Sequence, residues 1–163
     1  MLADWGHCPA LLKACLPMFI TFLVCTVVAG INTLIHYEVL SALSNHLSTL
    51  HVPNRSKLLV VILATLVAHA VEMAVYGLAI YVLIAGLGVG GLTGSVGFSL
   101  EACMYFSAET YTSLGFGDLT PTGPVRLLAG VEALNGLLLI GWSASFTYLS
   151  MERFWVSQSG TPR

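Results

Sequence analysis

The chain has 163 residues and a formal net charge of −2 at pH 7. Hydrophobic residues make up 56% of it and charged residues only 9%, whereas soluble domains are roughly one quarter charged. Such a chain has too few polar side chains to cover a surface in water, so the composition predicts a membrane protein with the lipid bilayer as its partner. No cluster of lysine and arginine offers a surface for nucleic acid, which we exclude as a partner.

Three apolar stretches are each long enough to cross a bilayer as a helix, because about 20 residues suffice. They cover residues 16–40, 58–87 and 125–151. We do not interpret the first as a cleaved signal peptide, because Asp4 lies where a basic leader is expected and no clear cleavage site follows. The pattern predicts a multi-pass protein of the cell membrane.

Two patterns that could indicate a cofactor do not predict one. The four cysteines lack the spacing of a metal site, so we expect small apolar fillers, although a bridge between Cys8 and Cys15 stays open. The glycines at 86, 88 and 91 match a dinucleotide-binding spacing, but a membrane span precedes them where that motif requires a strand. We expect a flexible loop at the membrane surface there.

Residues 98–112 predict a helix of about 15 residues, roughly 22 Å long and too short to cross the bilayer. The stretch TSLGFGD follows at 112–118 and leads to Pro121 and Pro124, which interrupt helices. Irregular backbone at membrane depth needs protein or water around it. The half-length helix and glycine-rich stretch therefore predict a re-entrant loop. Gly115 and Gly117 can turn successive carbonyl groups to one side, where they could bind a cation.

The sequence SAETYTSLGFGDLTP, residues 107–121, resembles the pore loop and selectivity filter of tetrameric potassium channels. In that family a hydroxyl residue, an aliphatic residue, Gly, Tyr or Phe, Gly and Asp follow one another. The resemblance implies an all-α membrane protein with a potassium-channel-like pore domain, preceded by an additional transmembrane helix. It places the N-terminal segment at 1–52, the pore domain at 53–152 and a short cytoplasmic tail at 153–163. Within the pore domain, 58–87 is the outer helix, 98–112 the pore helix, 113–117 the filter and 125–151 the inner helix.

The resemblance implies an ion site made of main-chain oxygen atoms. Carbonyl groups of four successive residues would replace the water around K⁺, which makes K⁺ the permeant ion and requires no cofactor. These residues are Ser113, Leu114, Gly115 and Phe116, with Gly117 shaping the outer mouth.

The same resemblance implies supporting residues around the filter. Thr112 would end the pore helix, with the negative end of its dipole toward a central cavity. Glu109 and Asp118 resemble the carboxyl pair that holds a filter from behind. Tyr105 and Phe106 occupy the positions of an aromatic pair.

The filter departs from the commonest pattern of the family in three places. Phe116 occupies a position at which the family more often has tyrosine, and Ser113 one at which it usually has threonine. Phe106 has no ring N–H to donate to Asp118. The carbonyl groups remain, but polar side-chain contacts that could hold the filter in place are lost. Filter rigidity is therefore open, and a sodium-passing or non-selective channel is the nearest alternative. A non-conducting auxiliary subunit is a further alternative, whereas the chain lacks the nucleophile motif that an intramembrane enzyme requires.

One chain supplies one filter strand, whereas a ring of carbonyl groups needs four. We therefore expect a homotetramer with the pore on its axis. With the filter toward the outside, Arg55, Lys57 and Arg153 fall on the inner side, in agreement with the positive-inside tendency. Three spans then place the N-terminus outside and the C-terminus inside.

No span carries the repeated basic residues of a voltage sensor, so gating is expected to come from the membrane part or a partner. Gly136 resembles the hinge of the inner helix. His69 and Glu72 lie three residues apart in the outer helix, and His36 or Glu132 could pair with them. Two interpretations stay open, proton-sensitive gating through His69 and a polar network that fixes helix packing. We favour the second, because burial tends to keep a histidine neutral.

Overall fold

The computed structural model describes the backbone of residues 8–47 and 53–159 and the side chains of residues 16–47, 53 and 56–153. Within these residues it contains four α-helices and two short strands. The helices are α1 (Cys8–Leu47), α2 (Asn54–Tyr81), α3 (Leu100–Tyr111) and α4 (Val125–Ser159), and the strands are β1 (Gly91–Gly94) and β2 (Leu119–Thr122). A single π-helical turn, Val82–Gly86, extends α2.

Three of the helices contain segments that are long and apolar enough to cross a membrane. These segments are Leu16–Leu47, Ser56–Gly86 and Val125–Arg153. The prediction of an all-α membrane protein is confirmed. The first helix extends beyond the predicted range of 16–40 at both ends, from Cys8 to Leu47.

The short helix α3 has defined start and stop signals. The side chain of Ser99 accepts a hydrogen bond from the backbone N–H of Ala102 at 3.1 Å and so caps the first turn. Thr112 forms the C-terminal cap, and its hydroxyl group donates to the carbonyl of Ala108 at 2.7 Å. The 12 residues of α3 rise about 18 Å, which is little more than half of a hydrocarbon core.

The glycine-rich stretch after α2 is more ordered than a flexible loop. Strand β1 pairs antiparallel with β2, and Gly94 lies opposite Leu119. A Cβ atom on Gly94 would overlap the carbonyl oxygen of Asp118, so glycine is needed for this close approach. The interpretation of residues 91–94 as a flexible loop was wrong, because cross-strand pairing of such short segments leaves no periodicity in the sequence.

The apolar core joins α3 to the helices around it. Its members come from all four helices and include Cys25, Tyr76, Ile80, Cys103, Phe106 and Leu128. Cys25 and Cys103 are buried and free, as expected of fillers, whereas Cys8 and Cys15 lie outside the described side chains. The core fixes α3 against α2 and α4, and therefore fixes where the segment after α3 begins.

Candidate ion-conducting site

The segment after α3 has an alternating backbone. Ser113, Gly115 and Gly117 adopt φ angles of 57°, 58° and 81°. Ser113 is the only residue other than glycine with a positive φ among the residues that the structure describes, and a left-handed conformation costs such a residue free energy. Since every second residue is left-handed, the segment is neither a helix nor an ordinary strand.

All of residues 113–118 are exposed in the single protomer. The exposed fraction reaches 60% for Leu114 and 69% for Phe116. These apolar side chains and the backbone beside them therefore lie on the protomer surface. Backbone that carries free polar groups at membrane depth must face protein or water rather than lipid.

Glu109 holds this segment from behind through both its main chain and its side chain. Its carbonyl oxygen accepts from the backbone N–H of Leu114 at 2.9 Å. Its side-chain Oε1 accepts from the backbone N–H of Phe116 at 3.3 Å. Because Glu109 is 4% exposed, the carboxylate is fixed by packing and can orient the backbone of 114–116.

The aromatic pair on α3 divides between two environments. Phe106 is buried in the core, whereas Tyr105 is partly exposed and lies near the carboxyl groups of Glu109 and Asp118. Hydrogen bonding to Glu109 raises the pKa of Tyr105 to about 12, and the nearby Asp118 contributes to the same shift. Tyr105 therefore provides the polar contact that Phe106, which has no donor, cannot give.

The raised pKa of Tyr105 predicts an alkaline loss of stability. The neutral phenol is favoured in the folded state, so its contribution is complete below pH 10, the ordinary pKa of tyrosine, and is lost as the pH rises through about 12. Tyr105→Phe should remove this component from the pH dependence of the thermal midpoint. Tyr148→Phe, at an exposed tyrosine of α4, is the control and should keep it. An unchanged alkaline loss in Tyr105→Phe would contradict the assigned hydrogen bond.

Gly136 lies where α4 crosses the C-terminal end of α3. A Cβ atom at this position would overlap the carbonyl oxygen of Tyr111 and lie 2.9 Å from its Cγ. The missing side chain therefore allows α4 to pack against Tyr111, the last residue of α3. Its role as a hinge stays a prediction.

A second group of polar side chains lies where α1 meets α2, α3 and α4. Glu72 Oε1 is 2.9 Å from Nδ1 of His36, and Glu72 Oε2 is 3.0 Å from Nδ1 of His69. Tyr111 donates its hydroxyl hydrogen to Glu72 Oε2, and its oxygen also lies 2.9 Å from Nδ1 of His69. Ser143 Oγ lies 3.2 Å from Nε2 of His36 and 3.0 Å from Nε2 of His69. We call these five residues the histidine ring.

The histidine ring is buried within the protein. His36, Glu72 and Tyr111 are 0% exposed, and the side chain of His69 is 14% exposed. Asn32 adds a hydrogen bond from its side chain to the backbone carbonyl of Glu72 at 3.1 Å. The ring therefore connects α1, α2, α3 and α4 at one place and meets the pore helix at its last residue.

Glu132 does not join the histidine ring. It accepts a hydrogen bond from Ser107 on α3, and its second oxygen has no hydrogen-bond partner among the described residues. The hydroxyl group of Ser107 also lies 2.7 Å from the carbonyl of Met73. Glu38, on α1, is exposed. The four predicted intramembrane residues thus divide into a group of three and a separate carboxyl group.

Two members of the histidine ring were missed by the sequence analysis. Tyr111 precedes the filter motif directly, and Ser143 lies among small residues of α4. Their contacts with the ring bridge chain separations of 39 residues for Tyr111 and Glu72 and 107 for Ser143 and His36. The only sign of these two residues in the sequence was a hydroxyl group on a predicted helix. Such groups frequently hydrogen-bond to a backbone carbonyl of their own helix, so they do not indicate a partner on another helix.

The three apolar helices define a multi-pass membrane protein, and the half-length helix α3 and the exposed segment after it lie between the second and third of them along the chain. A family model described as an ion channel matches residues 58–151, which is more than half of the chain. The chain therefore belongs to this ion-channel family, whose two-helix domain is of the potassium-channel pore type. No curated protein and no solved structure matches the chain.

Proposed function

We propose that the protein is a potassium-selective channel in which four identical chains surround one pore. K⁺ would pass without its water shell and bind the backbone carbonyl oxygens of residues 113–116. The proposed function requires no cofactor and no enzymatic step, since conduction follows the electrochemical gradient of the ion. The membrane would be the cell membrane, with the N-terminus outside and the C-terminus inside.

The observation that carries this proposal is the alternation of φ between residues 113 and 117. In an extended strand, successive carbonyl groups point to opposite sides, as the side chains do. A left-handed residue at every second position reverses one of each pair of peptide planes, so that neighbouring carbonyl groups can share one side. Positive φ at Ser113, Gly115 and Gly117 supports such an arrangement.

The position of α3 supports the same proposal. Its C-terminal end, at Tyr111, directly precedes the segment of alternating φ. The carbonyl groups at the end of a helix carry partial negative charge, which favours a cation nearby. A cation at the inner end of the proposed filter would therefore be stabilised by four such helix ends.

The exposure of residues 113–118 supports assembly around the filter. A protomer offers one set of carbonyl groups, which cannot surround an ion, and it leaves Leu114 and Phe116 uncovered. Closed fourfold symmetry would bring four sets together on one axis and would bury apolar surface of the filter segment between neighbours.

Counting protomers in conducting vesicles tests the proposed assembly. Purified protein that carries one fluorophore per chain is reconstituted at low density, and K⁺ flux and photobleaching steps are measured on the same vesicles. We expect K⁺ flux in vesicles whose largest assemblies bleach in four steps. Flux from vesicles in which assemblies bleach in at most two steps would contradict the tetramer. The absence of K⁺ flux would instead favour a non-conducting subunit.

A further inference from the structure

The histidine ring contains six contacts, two of which share one atom, because Nδ1 of His69 lies within hydrogen-bond distance of both Glu72 Oε2 and the Tyr111 oxygen. One hydrogen on this nitrogen can serve both as a three-centre bond, so the ring requires five hydrogens. Two join Glu72 to the Nδ1 atoms of His36 and His69, and one joins Glu72 to Tyr111. Two more join Ser143 to the Nε2 atoms of the same histidines. Each contact can be a hydrogen bond only if one of its two atoms carries a hydrogen that points at the other.

The ordinary protonation states supply only four hydrogens. A neutral imidazole carries one N–H, and the serine and tyrosine hydroxyl groups carry one O–H each, whereas an ionised carboxylate carries none. With Glu72 ionised and both histidines neutral, each histidine can donate its N–H to Glu72, and both Nε2 atoms then need the single hydrogen of Ser143. Any other placement of the two N–H groups also leaves one contact without a hydrogen. Lone pairs would then face each other in one of the contacts. One additional proton supplies the fifth hydrogen, and we expect a histidine to carry it, because imidazole is more basic than a carboxylate.

The net charge of the ring also indicates that it binds one proton. Ionised Glu72 with two neutral histidines carries a net charge of −1 at a site where Glu72 and His36 are 0% exposed. An uncompensated buried charge is strongly unfavourable, whereas a neutral set of hydrogen-bonded groups is tolerated. One bound proton makes the ring neutral.

Among the described residues, no other group beside the ring supplies a positive charge that would balance ionised Glu72. Among the described ion pairs, Glu72 pairs only with His36 and His69. The other ionisable groups that act on Tyr111 are Tyr76 of α2 and Glu132 of α4, and both are acids. From α4 the ring receives only the hydroxyl group of Ser143 and the indole of Trp142, whose ring centroid is 5.4 Å from that of His36.

A metal ion is the other occupant that these residues could hold. The ligand atoms of His36, His69 and Glu72 lie within 4.8 Å of one another. However, both Nδ1 atoms already contact the carboxylate at hydrogen-bond distance, and both Nε2 atoms contact Ser143. A metal would have to displace at least two of these contacts, whereas a proton completes them. The geometry therefore favours the proton.

We propose that His36, His69, Glu72 and Ser143 form a binding site for one proton per protomer, and that Tyr111 couples the occupancy of this site to the filter. Tyr111 contacts the ring through its hydroxyl group, and Thr112 and Ser113 follow it directly in the chain. Loss of the proton leaves a buried negative charge and one unfilled contact beside the end of α3. Proton binding rests on side-chain geometry alone, whereas its effect on current rests on the proposed channel function.

Proton binding is tested without any measurement of current. The thermal midpoint of the purified full-length protein and the ¹⁵N NMR spectrum of its labelled histidines are recorded from pH 5 to 10. Because the folded state binds the extra proton, we expect stability to fall as the pH rises through one transition. In that transition the two ring histidines should together lose one proton. Separate titration of each histidine, or both remaining neutral throughout, would overturn the site.

Matched variants assign the transition to the ring. Ser143→Ala removes a partner of the protonated form, so the transition should move by about one pH unit or more to lower pH. His36→Gln and His69→Gln should each remove it. His46→Gln, on α1 but outside the ring, is the control and should keep it. An unshifted transition in Ser143→Ala would contradict the hydrogen count. Stabilisation by Zn²⁺ alone that His36→Gln abolishes would overturn the proposal in favour of a metal site.

The coupling through Tyr111 has its own test. Tyr111→Phe removes the tyrosine hydrogen together with its contact to Glu72. A hydrogen on Nδ1 of His69 then serves Glu72 alone, so the ring should still bind one proton and the stability transition should remain. The dependence of K⁺ current on pH should be present in the wild type and at least tenfold smaller in Tyr111→Phe. Equal pH dependence in both would overturn the coupling. If neither protein conducts while the transition persists, the channel proposal fails and the proton site stands.

Discussion

Gly115→Ala is expected to abolish the preference for K⁺ over Na⁺. Gly115 has a φ of 58°, and no atom lies within 4 Å of a Cβ built on it. A clash within the protomer is therefore not the cause of the expected effect. The left-handed conformation costs an alanine roughly 1–2 kcal/mol, or roughly 4–8 kcal/mol over the four copies of the proposed tetramer. Relaxation of this strain would rotate the carbonyl groups on both sides of residue 115.

The chain contains a matched control for this substitution. Gly88 has a φ of 62° and also has no atom within 4 Å of a built Cβ, but it lies in the turn after α2. Gly88→Ala should cause a similar loss of stability and leave ion preference unchanged. The reversal potentials of both variants in mixed K⁺ and Na⁺ provide the comparison. If Gly115→Ala selects K⁺ as strongly as Gly88→Ala does, the left-handed backbone at residue 115 has no role in selectivity.

Gly136→Ala is expected to destabilise the pore domain and to reduce its assembly. The new methyl group would overlap the carbonyl oxygen of Tyr111 and approach its Cγ at 2.9 Å. Neither group can move freely, since the main chain of Tyr111 ends α3 and its side chain is 0% exposed. Overpacking of this kind costs about 1–3 kcal/mol, and the displacement would reach the filter through Thr112. The thermal midpoint and the yield of tetramer measure the effect.

Gly141 provides the control on the same helix. No atom lies within 4 Å of a Cβ built there, so Gly141→Ala should be neutral or stabilising, since alanine favours a helix by roughly 1 kcal/mol over glycine. The comparison also separates packing from a hinge. A hinge alone predicts that Gly136→Ala folds as stably as Gly141→Ala and only opens less often. Equal thermal midpoints in the two variants would contradict the packing role.

The spans could be predicted from the sequence because hydropathy and length are properties of a single segment. The half-length of α3 could be predicted for the same reason, and the family resemblance placed residues 113–118 at its end. Contacts between distant segments leave no comparable signal. The pairing of β1 with β2, the entry of Tyr111 and Ser143 into the histidine ring, and the contact of Glu132 with Ser107 all depend on the three-dimensional arrangement.

Gly136 shows why a correct position does not establish a mechanism. The resemblance singled it out as a hinge, for which the relevant property is freedom to bend. The structure adds a different reason for glycine, the close approach of α4 to Tyr111. Similarly, Phe106 occupies an expected aromatic position, but it is Tyr105 that contacts the carboxyl groups. In both cases neighbours from another segment decide what the residue does.

The most direct measurement is the reversal potential of the wild-type protein in a planar bilayer, with K⁺ as the only permeant cation on one side and Na⁺ on the other. Backbone carbonyl groups spaced for dehydrated K⁺ predict a potential far from zero, of the sign that K⁺ movement alone would give. A potential close to zero at equal concentrations would show that both ions pass alike, and would contradict a potassium filter at residues 113–116.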